Sequence, residues 1–183
     1  MVFSEESTVG AFSLRARREG LRDFGACMSP HNAFTILQGI ETLAMRMERH
    51  VANARRVVEF LSTHAAVESI SYPELESHPD YELAKTLLPK GCGSVFSFNL
   101  KGDRAAGQRF VESLKIFSHL ANVGDAKSLV IHPASTTHFR VPAEQLAASG
   151  IGEGTIRLSV GLENVDDLIE DLNRGLKMAQ KGK

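Results

Sequence analysis

Cysteine is scarce in this chain. Cys27 and Cys92 stand in unrelated contexts, which excludes a disulfide framework and leaves no thiolate cluster for a metal. Neither sign of charge prevails: 21 Lys and Arg stand against 22 Asp and Glu, a formal net charge of -1. That balance gives no bulk attraction to nucleic acid or to an anionic membrane surface. No apolar run reaches the length of a membrane span, and the first residues lack the cationic-then-apolar pattern of a secretory signal. Internal repeats and low-complexity tracts are absent as well. The expectation is a cytoplasmic protein with no nucleic acid and no membrane among its partners. What remains is an ordinary globular composition, 43% hydrophobic over 183 residues. That length suffices for one good core, or for one domain plus a piece of another.

Residues 1–12 are small and polar with no apolar period, and read as a ragged start. Leu14 to Phe24 is Arg-rich and predicts a short exposed helix ending at Gly25. Ser29-Pro30 is a strong helix start, because Ser caps free N–H groups and Pro suits the first helical position. The helix runs through Phe34, Leu37 and Ile40 and weakens over Gly39 to Leu43. A second helix is expected from about Ala44 to Ser62. Its apolar stripe is Met47, Val51, Ala54, Val58 and Leu61, and its solvated face carries Arg46, Glu48, Arg49, Arg55 and Arg56.

Beyond this point strands enter. Val67 to Tyr72 and Ser94 to Leu100 read as strands, the second alternating Phe96, Phe98 and Leu100 against Ser97 and Asn99. Helices are expected over Asp80 to Leu88 and Asp103 to Leu114, with a helical turn over Pro142 to Ala148. The last strand, Thr155 to Val160, places Ile156, Leu158 and Val160 on one face and Arg157 and Ser159 on the other. Asn164 caps the closing helix, whose buried stripe is Val165, Leu168, Ile169, Leu172 and Leu176. The sum is an α/β layer of three to five short strands with helices packed on one side. The polar sheet face of Arg157 and Ser159 is left for a ligand or another domain.

The segment from Phe117 to His138 mixes strand-like apolar pieces with Ser, Thr, Asn and His, a composition typical of loops that carry chemistry. Arg157 needs an anionic partner, because a lone buried guanidinium is costly. Read from the residues alone, that partner is a ligand carboxylate or a structural carboxylate such as Asp125 or Glu163. Asn122 is readable as a turn residue before Gly124. His119, His132 and His138 fit no metal-ligand spacing and read as hydrogen-bonded histidines. Ser128, Ser135, Thr136 and Thr137 read as loop hydrogen-bonders, with no Ser-His-Asp order to assign. Gly91-Cys92-Gly93 is too short to be a phosphate loop.

The ordered motifs are more specific. Arg22-Asp-Phe-Gly25, Ser29-Pro-His-Asn32, Ser118-His-Leu-Ala-Asn-Val-Gly-Asp125, His132-Pro-Ala-Ser-Thr-Thr-His138 and Ile156-Arg-Leu-Ser-Val-Gly-Leu-Glu163 together resemble the Cys/Met-metabolism family of pyridoxal-phosphate (PLP) enzymes. The resemblance covers nearly the whole chain, but only the C-terminal part of the family's protein. It implies that residues 1–42 are the end of the large PLP-binding domain with a linker helix. Residues 43–183 would then be the C-terminal domain of a fold-type I enzyme, a small, mostly antiparallel sheet with helices on one face. The family's Schiff-base lysine lies in the large domain, and no lysine here sits in that motif. PLP is therefore expected in the full-length protein and not in this piece alone, which is expected to be inactive.

By the same resemblance Arg157 pairs with the substrate α-carboxylate, and Asn122 with the Val123 backbone helps to hold it. The implied reaction displaces acetate from O-acetylhomoserine with sulfide or a thiol, with PLP as electron sink. An Asn at 122, where many relatives carry Ser, favours that reaction over the family's lyases. Succinyl-homoserine sulfhydrylation, cystathionine formation and methionine γ-elimination are the alternatives within the family. A non-catalytic module binding an amino acid or a protein is the alternative outside it. Expected partners are the amino-acid substrate, the chain's own N-terminal domain and, at full length, a homotetramer.

Overall fold

The computed structural model describes residues 2–181, so residue 1 and residues 182–183, at the outer ends of the two expected ranges, lie outside it. The chain divides into two compact units, Met1–Ala44 and Met45–Lys183. No helix among the described residues is long and apolar enough to cross a membrane.

The first unit is helical. α1 (Val2–Glu6) and α2 (Ala11–Arg15) lead into a π-helical stretch, Ala16–Asp23, and α3 spans Pro30–Glu41. The expected ragged start is thus helical. Local polar ties account for it: the Ser7 hydroxyl accepts the Gly10 N–H, and Arg18 pairs with Glu6 at 2.8 Å. Apolar periodicity could not reveal these turns, because α2 and the π-helical stretch bury no residue. Gly25, at φ 74°, ends the stretch as expected, since glycine enters left-handed backbone without a Cβ penalty. Ser29 accepts the Asn32 N–H at 3.2 Å and starts α3, whose Phe34, Leu37 and Ile40 all stay exposed.

The second unit holds the sheet. α4 (Leu43–Ser62) leads to β1 (Val67–Ser71), then α5 (Tyr81–Leu87), β2 (Val95–Leu100) and α6 (Arg104–Ser113). β3 (Ser118–His119), β4 (Leu129–Ile131), α7 (Ala143–Ala148), β5 (Thr155–Ser159) and α8 (Val165–Gln180) complete it. The sheet has five strands in the order β1-β2-β5-β4-β3. Every pairing is antiparallel except β3 with β4. Phe96, Phe98, Leu100, Ile156, Leu158 and Val160 on one sheet face meet Ala54, Val58 and Leu61 of α4, Phe110 of α6, and Leu168, Leu172 and Leu176 of α8. Phe98 meets the Phe110 ring edge-on at 5.8 Å. This is the expected fold: an α/β layer with its helices on one face.

Polar side chains fix the elements at their ends. Asp103 caps α6 through the Ala106 N–H, and Asn164 caps α8 through the Asp166 N–H. Asp171 is fully buried on α8. Its carboxylate accepts the backbone N–H groups of Lys115, Ile116 and Phe117 and the Arg174 guanidinium at 2.7 Å. It thereby sets the turn that feeds β3. Met47, placed in the buried stripe of α4 by its spacing, is instead 38% exposed, because the stripe meets the sheet only from Val51 onward.

Candidate substrate-carboxylate site

The face of the sheet away from the helices carries polar rows set by strand register. In one row Ser69, Asn99 and Thr155 stand opposite one another. Asn99 donates to Ser69 at 2.9 Å, and the Thr155 hydroxyl donates to Asn99 at 2.6 Å. The next row on this face aligns Ser71, Ser97, Arg157 and Ile131. These residues line an open cavity of about 610 Å³, together with His78, Pro133, Thr137, His138 and Ile151 among others. Register alone therefore brings a guanidinium into a concave site beside hydroxyls and apolar surface.

Arg157 is half-buried, and its Nη2 donates to the Asn122 backbone carbonyl at 3.3 Å. Neither expected structural carboxylate takes it. Asp125 accepts the Lys127 N–H at 3.0 Å, and Glu163 accepts the N–H and hydroxyl of Ser128. Among the described residues no carboxylate lies in ion-pair range of Arg157. A guanidinium offers five N–H donors in a planar fork, so most of this donor set remains for an anion.

Asn122 and Val123 lie in the exposed loop between β3 and β4. The Asn122 side chain folds onto its own loop, accepting the Val123 N–H at 2.9 Å, so the turn reading also describes it. The loop reaches β5 through the Asn122 carbonyl and through the Gly124 N–H, which meets the Ser159 hydroxyl at 3.4 Å. Ser159 is consequently buried. The polar face expected to be free is free at Arg157 and covered at Ser159.

His132 and His138 are hydrogen-bonded as expected, and the described residues hold no group of His, Cys, Asp and Glu arranged for a metal. His132 is fully buried. Its Nε2–H donates to the Glu153 carbonyl at 2.6 Å, and Nδ1 accepts from the Ser135 hydroxyl at 2.8 Å. Burial holds this imidazole below the usual histidine value, against the Glu153 carbonyl, which raises it. His138 pairs with Thr137 at 2.8 Å, and His78 accepts the Asp80 N–H at 3.2 Å. His78, Ser71 and Ile151 are lining residues that sequence reasoning missed. They sit in turns and edges with no periodicity: strand register brings in Ser71, His78 follows through its 3.4 Å hydrogen bond to the Ser71 hydroxyl, and Ile151 comes from the loop after α7. Cys92 gives its N–H to Glu74 at 2.8 Å, and burial pushes its thiol up, so the Gly-Cys-Gly turn is structural.

A PLP aldehyde needs a lysine amine, and its pyridine nitrogen a carboxylate. The residues lining the Arg157 cavity include neither. The cavity offers a guanidinium to an anion and does not fit the cofactor.

Comparison with known proteins matches residues 6–177 to the family described as Cys/Met metabolism PLP-dependent enzyme. The chain is 49% identical over 168 residues to O-acetyl-L-homoserine sulfhydrylase of Leptospira meyeri, covering 91% of this chain and 38% of that protein. It is 48% identical over 164 residues to L-methionine gamma-lyase of Pseudomonas putida, covering 89% of this chain and 41% of the other. Among solved structures it resembles a putative O-acetylhomoserine (thiol)-lyase of Campylobacter jejuni that carries a pyridoxyl-lysine phosphate. The TM-score is 0.83 at 44% identity, over 91% of this chain and 39% of that one. The chain thus spans about two-fifths of the length of the relatives it matches.

Proposed function

The chain belongs to the Cys/Met metabolism family of PLP-dependent enzymes, and from that premise we propose that it supplies the substrate-carboxylate site of an O-acetylhomoserine sulfhydrylase. The whole protein would convert O-acetylhomoserine and sulfide, or a thiol, into homocysteine, or methionine, and acetate. In this reading residues 1–42 end a large PLP-binding domain and residues 43–183 form the C-terminal domain. The lysine that carries PLP belongs to the large domain, and the assembly is a homotetramer.

The observation that carries the reading is Arg157 itself. It faces a cavity, donates to no carboxylate among the described residues, and is aimed by register from the central strand of the sheet. Arg157 binds the α-carboxylate with a two-pronged donor, and the loop of Asn122 and Val123 closes beside it. Its part in the chemistry is orientation: a substrate fixed by its carboxylate presents the rest of the molecule in one pose.

The test is steady-state kinetics of the full-length protein with PLP. Arg157→Ala should lose about 3–5 kcal/mol in kcat/KM for O-acetyl-L-homoserine. It should melt with the wild type, since no carboxylate among the described residues depends on this guanidinium. Normal kcat and KM in that variant would end the assignment.

A second reading, methionine γ-lyase, is favoured by the 48% identity to that enzyme. Asn122 favours the sulfhydrylase. Rates with O-acetyl-L-homoserine plus sulfide, set against rates with L-methionine alone, separate the two.

A further inference from the structure

The loop that brings Asn122 to Arg157 has no apolar anchor of its own. From Leu120 to Lys127 every residue is exposed except Asp125, which is half-buried, and Leu120 and Val123 stand more than half exposed at 53% and 57%. A segment that buries so little is placed by its hydrogen bonds or not at all. Those bonds converge on the far end of β5.

Ser128, fully buried at the end of the loop, is gripped by Glu163 from 35 residues away. One Glu163 oxygen accepts the Ser128 N–H at 2.7 Å, and the other accepts the Ser128 hydroxyl at 2.8 Å. That hydroxyl in turn accepts the Gly161 N–H at 2.8 Å. With a lone pair taken by Gly161, its proton is directed to Glu163, and the three groups form one polarised chain. The Leu162 N–H donates to the Ala126 carbonyl at 2.9 Å. The backbones approach so closely here that a Cβ on Gly161 would lie 2.5 Å from the Ala126 oxygen and 2.6 Å from the Lys127 carbonyl carbon. From α4, Asn53 donates to the carbonyls of Gly161 and Glu163 at 2.9 Å each, which fixes the frame that Glu163 acts from.

We infer that Glu163, acting through Ser128, is a positioning residue for the Arg157 site: it holds the Asn122 loop in register with the strand that carries the arginine. A carboxylate offers two acceptors to one residue's N–H and O–H in this way while leaving the hydroxyl free to bind Gly161, and an amide in its place offers one. This inference rests on the carboxylate reading of Arg157. It adds that the far end of the loop, not only the loop's own residues, decides how tightly the substrate is held.

The experiment uses the full-length protein with PLP and the variants Ser128→Ala, Glu163→Gln, Arg157→Ala and Arg157→Ala/Ser128→Ala. Ser128→Ala should raise KM for O-acetyl-L-homoserine on the order of tenfold while kcat stays within about threefold, because binding and not chemistry is loosened. Glu163→Gln keeps one acceptor and should fall between Ser128→Ala and the wild type. The double variant should lose less than the two single losses combined, since the loop then has no guanidinium to close beside. An unchanged KM in Ser128→Ala, losses that add in the double variant, or failure of both near-isosteric variants to fold would overturn the inference. An unchanged KM in Arg157→Ala would instead overturn the carboxylate reading beneath it.

Discussion

Arg157 donates to the backbone carbonyl of Asn122, not to its side chain, at 3.3 Å. The link therefore survives any side chain at position 122, whereas it depends strictly on the reach and planarity of the guanidinium.

Arg157→Lys is the informative companion of the alanine variant. A lysine keeps the charge but offers a point donor in place of a planar fork, and cannot hold the Asn122 carbonyl and a substrate carboxylate in the same geometry. Its kcat/KM should lie between wild type and Arg157→Ala. Equality with wild type would mean that charge alone suffices.

Gly107→Ala sets two known effects against each other. In an exposed helix interior the change stabilises by about 1 kcal/mol. In α6 the new Cβ would enter the His132 ring, lying 2.7 Å from Cδ2 and 2.8 Å from Cε1. The ring is locked by Ser135 and Glu153 and cannot retreat. Overpacking should win, with a net loss of roughly 1–3 kcal/mol in chemical denaturation. A raised melting temperature would show that the ring yields.

Asp171→Asn should be among the most damaging changes that preserve shape. The amide keeps one acceptor oxygen and turns an N–H₂ group toward backbone donors and the Arg174 guanidinium. Urea denaturation should show a loss of roughly 2–4 kcal/mol, the scale of buried donors left unpaired. A loss well under 1 kcal/mol would mean that the turn before β3 finds other acceptors.

His132 gives the fold an acid limit. Burial is the main cause of its lowered value, Arg104 and His119 push the same way, and the Glu153 carbonyl and carboxylate oppose them. The unfolded chain takes up a proton near pH 6.5, while the folded chain does so only at lower pH. Stability is thus fully present above pH 6.5 and falls as pH drops toward the folded value. His64 is lowered mainly by burial as well and adds a slope of the same sign. Unfolding free energies at about pH 7.5 and about pH 5.5 should converge in His132→Gln relative to wild type. An undiminished acid loss in that variant would assign the proton uptake elsewhere.

Periodicity made the core legible. Phe96, Phe98 and Leu100, then Ile156, Leu158 and Val160, alternate cleanly because one face of each strand is dry and the other polar. Two caps were legible too, since Ser29 and Asn164 act on N–H groups a few residues away. The buried polar residues were not. His50, which donates to the Val160 carbonyl at 2.7 Å, Asn53 and Asp171 each serve backbone far along the chain. Nothing local marks them among polar neighbours on the same helices. At the candidate site Arg157 stood out as a charge in an apolar strand. Ser71 and His78, in contrast, join it only through the pairing of β1 with β2 and of β2 with β5. Helix α1 was missed because its turns bury too little to leave a pattern.

The order β1-β2-β5-β4-β3 has a consequence for how the protein is made. The strand at the centre of the sheet is the last to leave the ribosome. Until residues 155–159 emerge, β2 and β4 have no bridge between them, and each presents an open edge with apolar side chains on it. The first four strands can nucleate only as separate pieces, and the pairings that join them close loops across much of the unit, which is slow. At roughly 5–20 residues per second, synthesis leaves those edges open for several seconds. Mutations that weaken β5 should therefore lower the yield of folded protein in the cell more than they lower the stability of molecules that have already folded.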